Sequence, residues 1–280
     1  EEDLNYNNWY ADPTESILGA IADDPLIQET NTRLIAEPWT AGGNYNPLLG
    51  AYPASTTLEG FGWAEWNGHF RDIARSLLNE DDFSAGAYEG AITLGGALTG
   101  SSEMYGWNGR QPLHSINFVT CHDGFPLYDV FSFDSQQNGC GVLNPTCCDD
   151  PYSQWCDQDS GERHNRSRDW GTENEAHKRQ LMRNAFALMF LSHGTPMIFG
   201  GDEWMRTQYG NNNAYSTTAD NEFNWFRWGE WRAYDERHRM KDFVSEMAAF
   251  RRDTGYALTP AEWGSGMAFS WKTAGNLDLT

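Results

Sequence analysis

Two carboxylates stand at the ends of short apolar runs in this chain. Glu37 follows Leu34-Ile35-Ala36 and is flanked by Pro38 and Trp39. Asp123 follows Val119-Thr120-Cys121, with His122 beside it. Apolar runs of that length read as buried strands, so each acid falls at a strand's C-terminal tip. In a parallel α/β barrel that tip is where catalysis takes place. A glutamate flanked by Pro and Trp can have its carboxyl pKa raised by desolvation, which suits a proton donor near neutral pH. One carboxyl that gives a proton and a second carboxylate nearby are what glycoside cleavage requires.

These tips need a scaffold. Ser16–Ala22 reads as a short amphipathic helix, and Arg33–Glu37 as the first strand. A Gly-, Asn- and Pro-rich loop over 41–53 follows, then a strand over Gly60–Trp66. Asn67-Gly68 turns that strand into a helix over Phe70–Leu78, with Ile73, Leu77 and Leu78 on one side. Residues 84–110 hold many small residues and read as irregular. Ser115–Thr120 is the third strand, and a long loop spans about 134–171. Glu175–Ser192 is the clearest helix, with Leu181, Ala185, Leu188 and Met189 at helical spacing. Pro196–Phe199 is the fourth strand and runs into Gly200-Gly201-Asp202-Glu203. A last helix covers Arg239–Arg252, with Phe243, Met247 and Phe250 in register, and Trp263–Leu279 reads as one or two strands. Strand and helix alternating about four times predicts a parallel α/β sheet. No G-x-G-x-x-G and no Walker motif follows a strand, so a barrel is favoured over a dinucleotide fold.

The bulk properties exclude some classes. Forty acidic against 19 basic residues give a net charge of −21, which argues against nucleic acid and anionic membranes as partners. A neutral polymer is compatible with such a surface, and the 13 Trp residues can stack on sugar rings or fill a core. No stretch is long and apolar enough to span a bilayer, and the N-terminus carries no signal peptide. It has no Met either, so processing or a longer parent chain is expected. Of five cysteines, Cys121 is expected as a buried thiol; Cys140, Cys147, Cys148 and Cys156 crowd one loop. Two disulfides or free thiols fit that spacing better than zinc, which favours paired C-x2-C. Asn165-Arg166-Ser167 matches a glycosylation sequon.

Taken in order, six blocks resemble the α-amylase superfamily, glycoside hydrolase family 13, and within it the isoamylase and glycogen-debranching branch. They are Leu34–Trp39, Trp66–Asp72, Ile116–Phe125, Gly161–Ser167, Gly200–Glu203, and Gly210–Tyr215 with Asp220-Asn221-Glu222. The resemblance implies a (β/α)8 TIM barrel of which this chain supplies roughly the fifth to eighth βα units. Residues 1–255 would be the C-terminal half of that barrel, and 256–280 the start of a C-terminal β-domain. It implies Glu37 as general acid/base, Asp123 as the carboxylate that stabilises the transition state, and His122 as a sugar ligand. An oxocarbenium-like transition state gains positive charge, so an ionised Asp nearby stabilises it. Trp39 is expected to stack on a glucose unit or cap the barrel, and Asp202 and Glu203 to contact sugar or position loops. The implied substrate is an α-glucan cut at α-1,6 branch points. No cofactor is required, with calcium left open. Plastid or cytoplasm is favoured, and secretion if the cysteine loop is disulfide-bonded.

The sequence also departs from the family. The nucleophile there is an Asp in a Gly-Phe-Arg-Phe-Asp-type motif on the fourth strand, and nothing in Glu1–Asn31 matches it. A longer enzyme with an N-terminal half-barrel is therefore expected, because an isolated half would expose raw sheet edges. Thr40 stands where the branch usually has Asp, and 139–157 is an insertion. The missing nucleophile leaves room for a non-catalytic glucan-binding subunit; an α-1,4-acting or glucan-transferring enzyme is a further alternative.

Overall fold

A computed structural model describes residues 17–39, 49–55, 61–81, 93–138, 161–162, 164–214, 223–260 and 263. Their centre is a four-stranded sheet in the order β1-β2-β3-β4. β1 is Leu34–Ala36, β2 Trp63–Asn67, β3 Ser115–Asn117 and β4 Thr195–Pro196. Every pairing is parallel, so each connection must return across a face of the sheet. The α/β class and the parallel sheet are as the sequence predicts.

Helices supply the returns. α1 (Ile17–Ala22) and α2 (Pro25–Glu29) precede β1. The Asp24 side chain accepts from the Leu26 and Ile27 N–H groups, and Pro25 starts α2 where no N–H is needed. α3 (Gly68–Asn79) leaves β2 directly. Asn67 ends the strand and caps the helix, its Oδ1 accepting from Phe70 N at 2.9 Å. Its Nδ2 donates to Ser101 Oγ and Ser115 Oγ, both at 2.9 Å, which ties α3's start to β3. α4 (Leu94–Leu98) and α5 (Ser102–Tyr105) occupy the stretch expected to be irregular. Thr93 caps α4 by accepting from Gly96 N. Helices this short show no apolar repeat, so periodicity misses them.

α6 (Leu127–Val130) and α7 (Glu175–Leu191) lead to β4; α8 (Trp228–Trp231), α9 (Asp235–Asp253) and α10 (Gly255–Leu258) follow it. The core joins Phe70 and Ile73 of α3, Phe125, Phe131, and Met182 and Phe186 of α7. On α9 the buried positions are Met240, Val244 and Arg251; Phe243 and Met247 are only partly buried and Phe250 is exposed. The expected face is thus displaced, because the Arg251 guanidinium is drawn in to donate to the Phe190 and Ser192 carbonyls.

Among the described residues β1 and β4 each pair on one side only, and Ile35 and Ile198 are 50% and 37% exposed. No described helix is long and apolar enough to cross a membrane. Cys121 is a buried thiol, as expected. Thr40, the four loop cysteines, Asp220-Asn221-Glu222 and the strands expected over 263–279 lie outside the described residues, Trp263 excepted.

Candidate active site

Parallel strands bring their C-terminal ends to one edge, and the predicted residues collect there. Glu37 follows β1; the Glu37 Oε1 atom lies 3.8 Å from His122 Nε2, past the end of β3. Trp39 Nε1 donates to Glu37 Oε1 at 2.8 Å. Trp66 of β2 sits between, its ring centroid 6.0 Å from Trp39 and 5.8 Å from His122. Phe118 closes the base of this aromatic group, 5.6 Å from Trp66. Pro38 is buried, yet the Glu37 side chain is 39% exposed. The desolvated glutamate expected from its neighbours is therefore not found, because β1 is an edge strand with no partner on its outer side among the described residues.

Asp123 is held more closely. Its Oδ1 accepts from Glu162 N at 2.9 Å. Asn165 fastens the same turn: its Oδ1 accepts from Phe125 N at 2.9 Å, and its Nδ2 donates to the Glu162 carbonyl at 3.0 Å. Gly124 lies between these contacts with φ +102, and a Cβ there would come within 2.8 Å of Asn165 Oδ1. Asn165 is 5% exposed and both ends of its amide are hydrogen-bonded, so the side chain acts as a structural staple in this fold. Burial pushes the Asp123 carboxyl up, and the Glu162 charge adds to it; the Glu162 N–H, His122 and Arg71 oppose the shift. A polar cleft of about 310 Å³, lined by Asp134, Gln136, His164 and Ser167 among others, borders the turn.

Asp202 is not a surface ligand. It is 1% exposed, accepts from Leu127 N at 2.9 Å and takes the Thr120 hydroxyl on its other oxygen. Burial, only partly offset by these bonds and by Arg206, raises its pKa to about 7. Of the two roles expected for it, the geometry fits loop positioning: Asp202 ties the β4 end to the 120–127 segment. Glu203 is half-buried and accepts from Gly201 N at 3.0 Å within its own turn. Asn211, Asn212 and Asn213 are all buried; Asn212 Nδ2 donates to the Glu162 carbonyl at 2.6 Å, so this run shapes the loop beside Asp123.

Sequence reasoning gave no role to Glu162, Arg71 or Arg75. The last two lie on α3 at i and i+4 and are buried, on a helix whose expected apolar positions are Ile73, Leu77 and Leu78. That spacing was the available signal. Asp129 was missed too: its carboxylate accepts from the Thr207 hydroxyl at 2.5 Å, Gln208 N at 2.8 Å and Gly210 N at 3.1 Å. Among the described residues no group of three or more His, Cys, Asp and Glu side chains converges as cation ligands.

No protein-family model matches the chain. Among curated proteins it is similar to an isoamylase from Flavobacterium sp, 38% identical over 252 residues, which is 89% of this chain and 28% of that protein. It is 36% identical over 245 residues to the chloroplastic isoamylase SU1 of Zea mays, 85% of this chain and 27% of that one. A glycogen operon protein GlgX homolog from Mycobacterium tuberculosis is 34% identical over 250 residues, 86% of this chain and 30% of that one. The chain thus spans less than a third of the length of these relatives.

Proposed function

Because this chain belongs to the isoamylase and glycogen-debranching branch of glycoside hydrolase family 13, we propose that it is part of a retaining glycosidase. That enzyme hydrolyses α-1,6 branch linkages in glycogen- or amylopectin-type glucans. In this reading β1 to β4 are the fifth to eighth strands of a (β/α)8 barrel, and 256–280 begins a β-domain. The one-sided pairing of β1 and β4 supports it, since a closed barrel leaves no edge. The preceding units would seat against Ile35 and Ile198, and would bring the nucleophile.

The observation that carries the chemistry is the approach of Glu37 to His122, joined by sequence to Asp123, at the C-terminal edge of one parallel sheet. Glu37 protonates the leaving glycosidic oxygen and then activates water. Asp123 stabilises the positive charge that develops on the sugar. His122 donates to ring hydroxyls. Trp39 orients Glu37 through its indole N–H and offers its face to a glucose unit. A chloroplastic relative and a glycogen-operon relative support a location beside stored glucan, in plastid or cytoplasm.

The test is reducing-end release from amylopectin by the intact protein. Glu37→Gln is expected to lower kcat about a thousandfold, the range for losing a general acid. Unchanged turnover in that variant overturns the assignment.

A further inference from the structure

Beneath Asp123 lies a charged layer that the reaction scheme leaves without a role. The Arg71 side chain is 6% exposed; its Nε donates to Asp72 Oδ1 at 2.8 Å and its Nη1 lies 3.5 Å from Glu162 Oε2. It sits over the Phe118 ring at 5.9 Å. Glu162 faces two ways: its backbone N–H holds Asp123 Oδ1, and its side chain accepts from His164 N at 2.8 Å while meeting Arg71. The same N–H that positions Asp123 therefore belongs to a residue whose own negative charge stands close to it. Two carboxylates in one site disfavour joint ionisation.

We propose that Arg71 and Glu162 are a positioning pair for Asp123: Glu162 fixes the carboxylate through its backbone, and Arg71 screens the Glu162 charge from it. The pair rests on the reading of Asp123 as the stabilising carboxylate. The groups around Asp123 are His122 and Cys121 on its own segment, Arg71 from α3, and Glu162 from the adjoining turn, with Arg75 of α3 beside Cys121. Of these, Glu162 raises the Asp123 pKa, whereas Arg71 and His122 lower it, and burial is the largest cause of the raised value. The backbone bond alone would position Asp123 equally well with a neutral residue at 162, so the charged pair has a distinct consequence. Its two members must move Asp123 in opposite directions.

The experiment is the pH dependence of kcat/KM for reducing-end release from amylopectin by the intact enzyme, which reports groups of the free enzyme. Glu162→Gln keeps the backbone N–H and shifts the acidic limb down by about half a pH unit. Arg71→Met shifts it up by about as much, the size expected for one neighbouring charge on a partly buried carboxylate. Arg71→Lys keeps the charge and holds the limb at the wild-type position even where its turnover drops. Should Arg71→Met fail to fold, Glu162→Gln and Arg71→Lys decide, because Gln is close to Glu in size and keeps the backbone N–H that holds Asp123. A limb that stays put in Glu162→Gln, or that moves the same way in Glu162→Gln and Arg71→Met, overturns the pair while the debranching reading stands. A wild-type protein that releases no reducing ends overturns both.

Discussion

At the tip after β3, Asp123 is clamped by a turn that is itself clamped: Glu162, Asn165 and Asn212 share hydrogen bonds, and buried Arg75 holds the main chain beneath. At the tip after β1, Glu37 takes its hydrogen bond from Trp39, two residues along the same strand end. The first acid is built into the fold from several elements. The second stands on an edge strand and is 39% exposed. The difference follows from strand position. β3 has neighbours on both sides and helices packed over it, so its tip is surrounded by groups this chain supplies. Among the described residues β1 has a neighbour on one side, and Glu37 beyond it stays partly exposed. The two carboxylates are thus held differently: Asp123 by several segments of the fold, Glu37 by a side-chain bond from its own strand end.

The strongest way to break this comparison is to remove the strut under the β3 tip. Arg75 is fully buried; its Nε donates to the Val119 carbonyl at 2.7 Å and its Nη1 to the Asn165 carbonyl at 3.1 Å. Val119 leads into Asp123, and Asn165 staples the turn that holds it. Arg75→Met keeps the packing of the stem but leaves both buried carbonyls without their donor. The expected cost is about 3 kcal/mol of stability, read by chemical denaturation of the intact protein, with turnover falling as Asp123 loses its seat. A variant as stable as wild type would show that the β3 tip does not depend on α3.

The two tips were also legible to different degrees. Leu34-Ile35-Ala36-Glu37 and Val119 to Asp123 could be read directly, because a short apolar run ending in a carboxylate is a local signal. The strand and helix alternation gave the parallel sheet for the same reason. What stayed hidden is long-range. Arg71 and Arg75 look like ordinary solvent-facing residues of an amphipathic helix until the 161–165 turn and the Val119 carbonyl come down on them. Asp202 could be read as a sugar contact or as a loop-positioning residue, and what separates the two is distant in sequence: Thr120 and Leu127, some 80 positions earlier, take both of its oxygens. The exposure of Glu37 could not be read at all, since burial at that tip depends on whether β1 has a second neighbour.

A smaller effect sharpens the same contrast through pH. Burial holds the Asp202 proton to about pH 7, whereas an unfolded aspartate releases it near pH 4. The folded state therefore binds a proton the unfolded state lacks, and stability drops as pH rises through about 7. One such group contributes about 1 kcal/mol between roughly pH 6 and pH 8. Asp129, buried and raised to about 6, acts in the same sense at slightly lower pH. In Asp202→Asn the intact protein should lose the Asp202 part of this slope, measured as melting temperature against pH. Asn can still accept from Leu127 N, so the variant folds. A slope equal to wild type would mean that Asp202 is ionised throughout, and that the link between the β4 end and the β3 tip is a charge and not a shared proton.

The smallest effect is expected at the other tip, where one side-chain hydrogen bond reaches Glu37 from Trp39. Trp39→Phe deletes the indole N–H that reaches Glu37 and keeps an aromatic ring beside Trp66. A single hydrogen bond at a half-exposed carboxylate is worth about 0.5–1 kcal/mol, so kcat/KM on amylopectin should fall by about threefold while the melting temperature stays within about a degree of wild type. The same kind of loss at the β3 tip would register mainly in stability, because the bonds there hold several segments together. At the β1 tip it should register mainly in rate, because the bond aims one side chain at the sheet edge. If Trp39→Phe lowers stability and leaves the rate alone, the contrast fails: Trp39 would then be a cap on the sheet edge and would not aim Glu37.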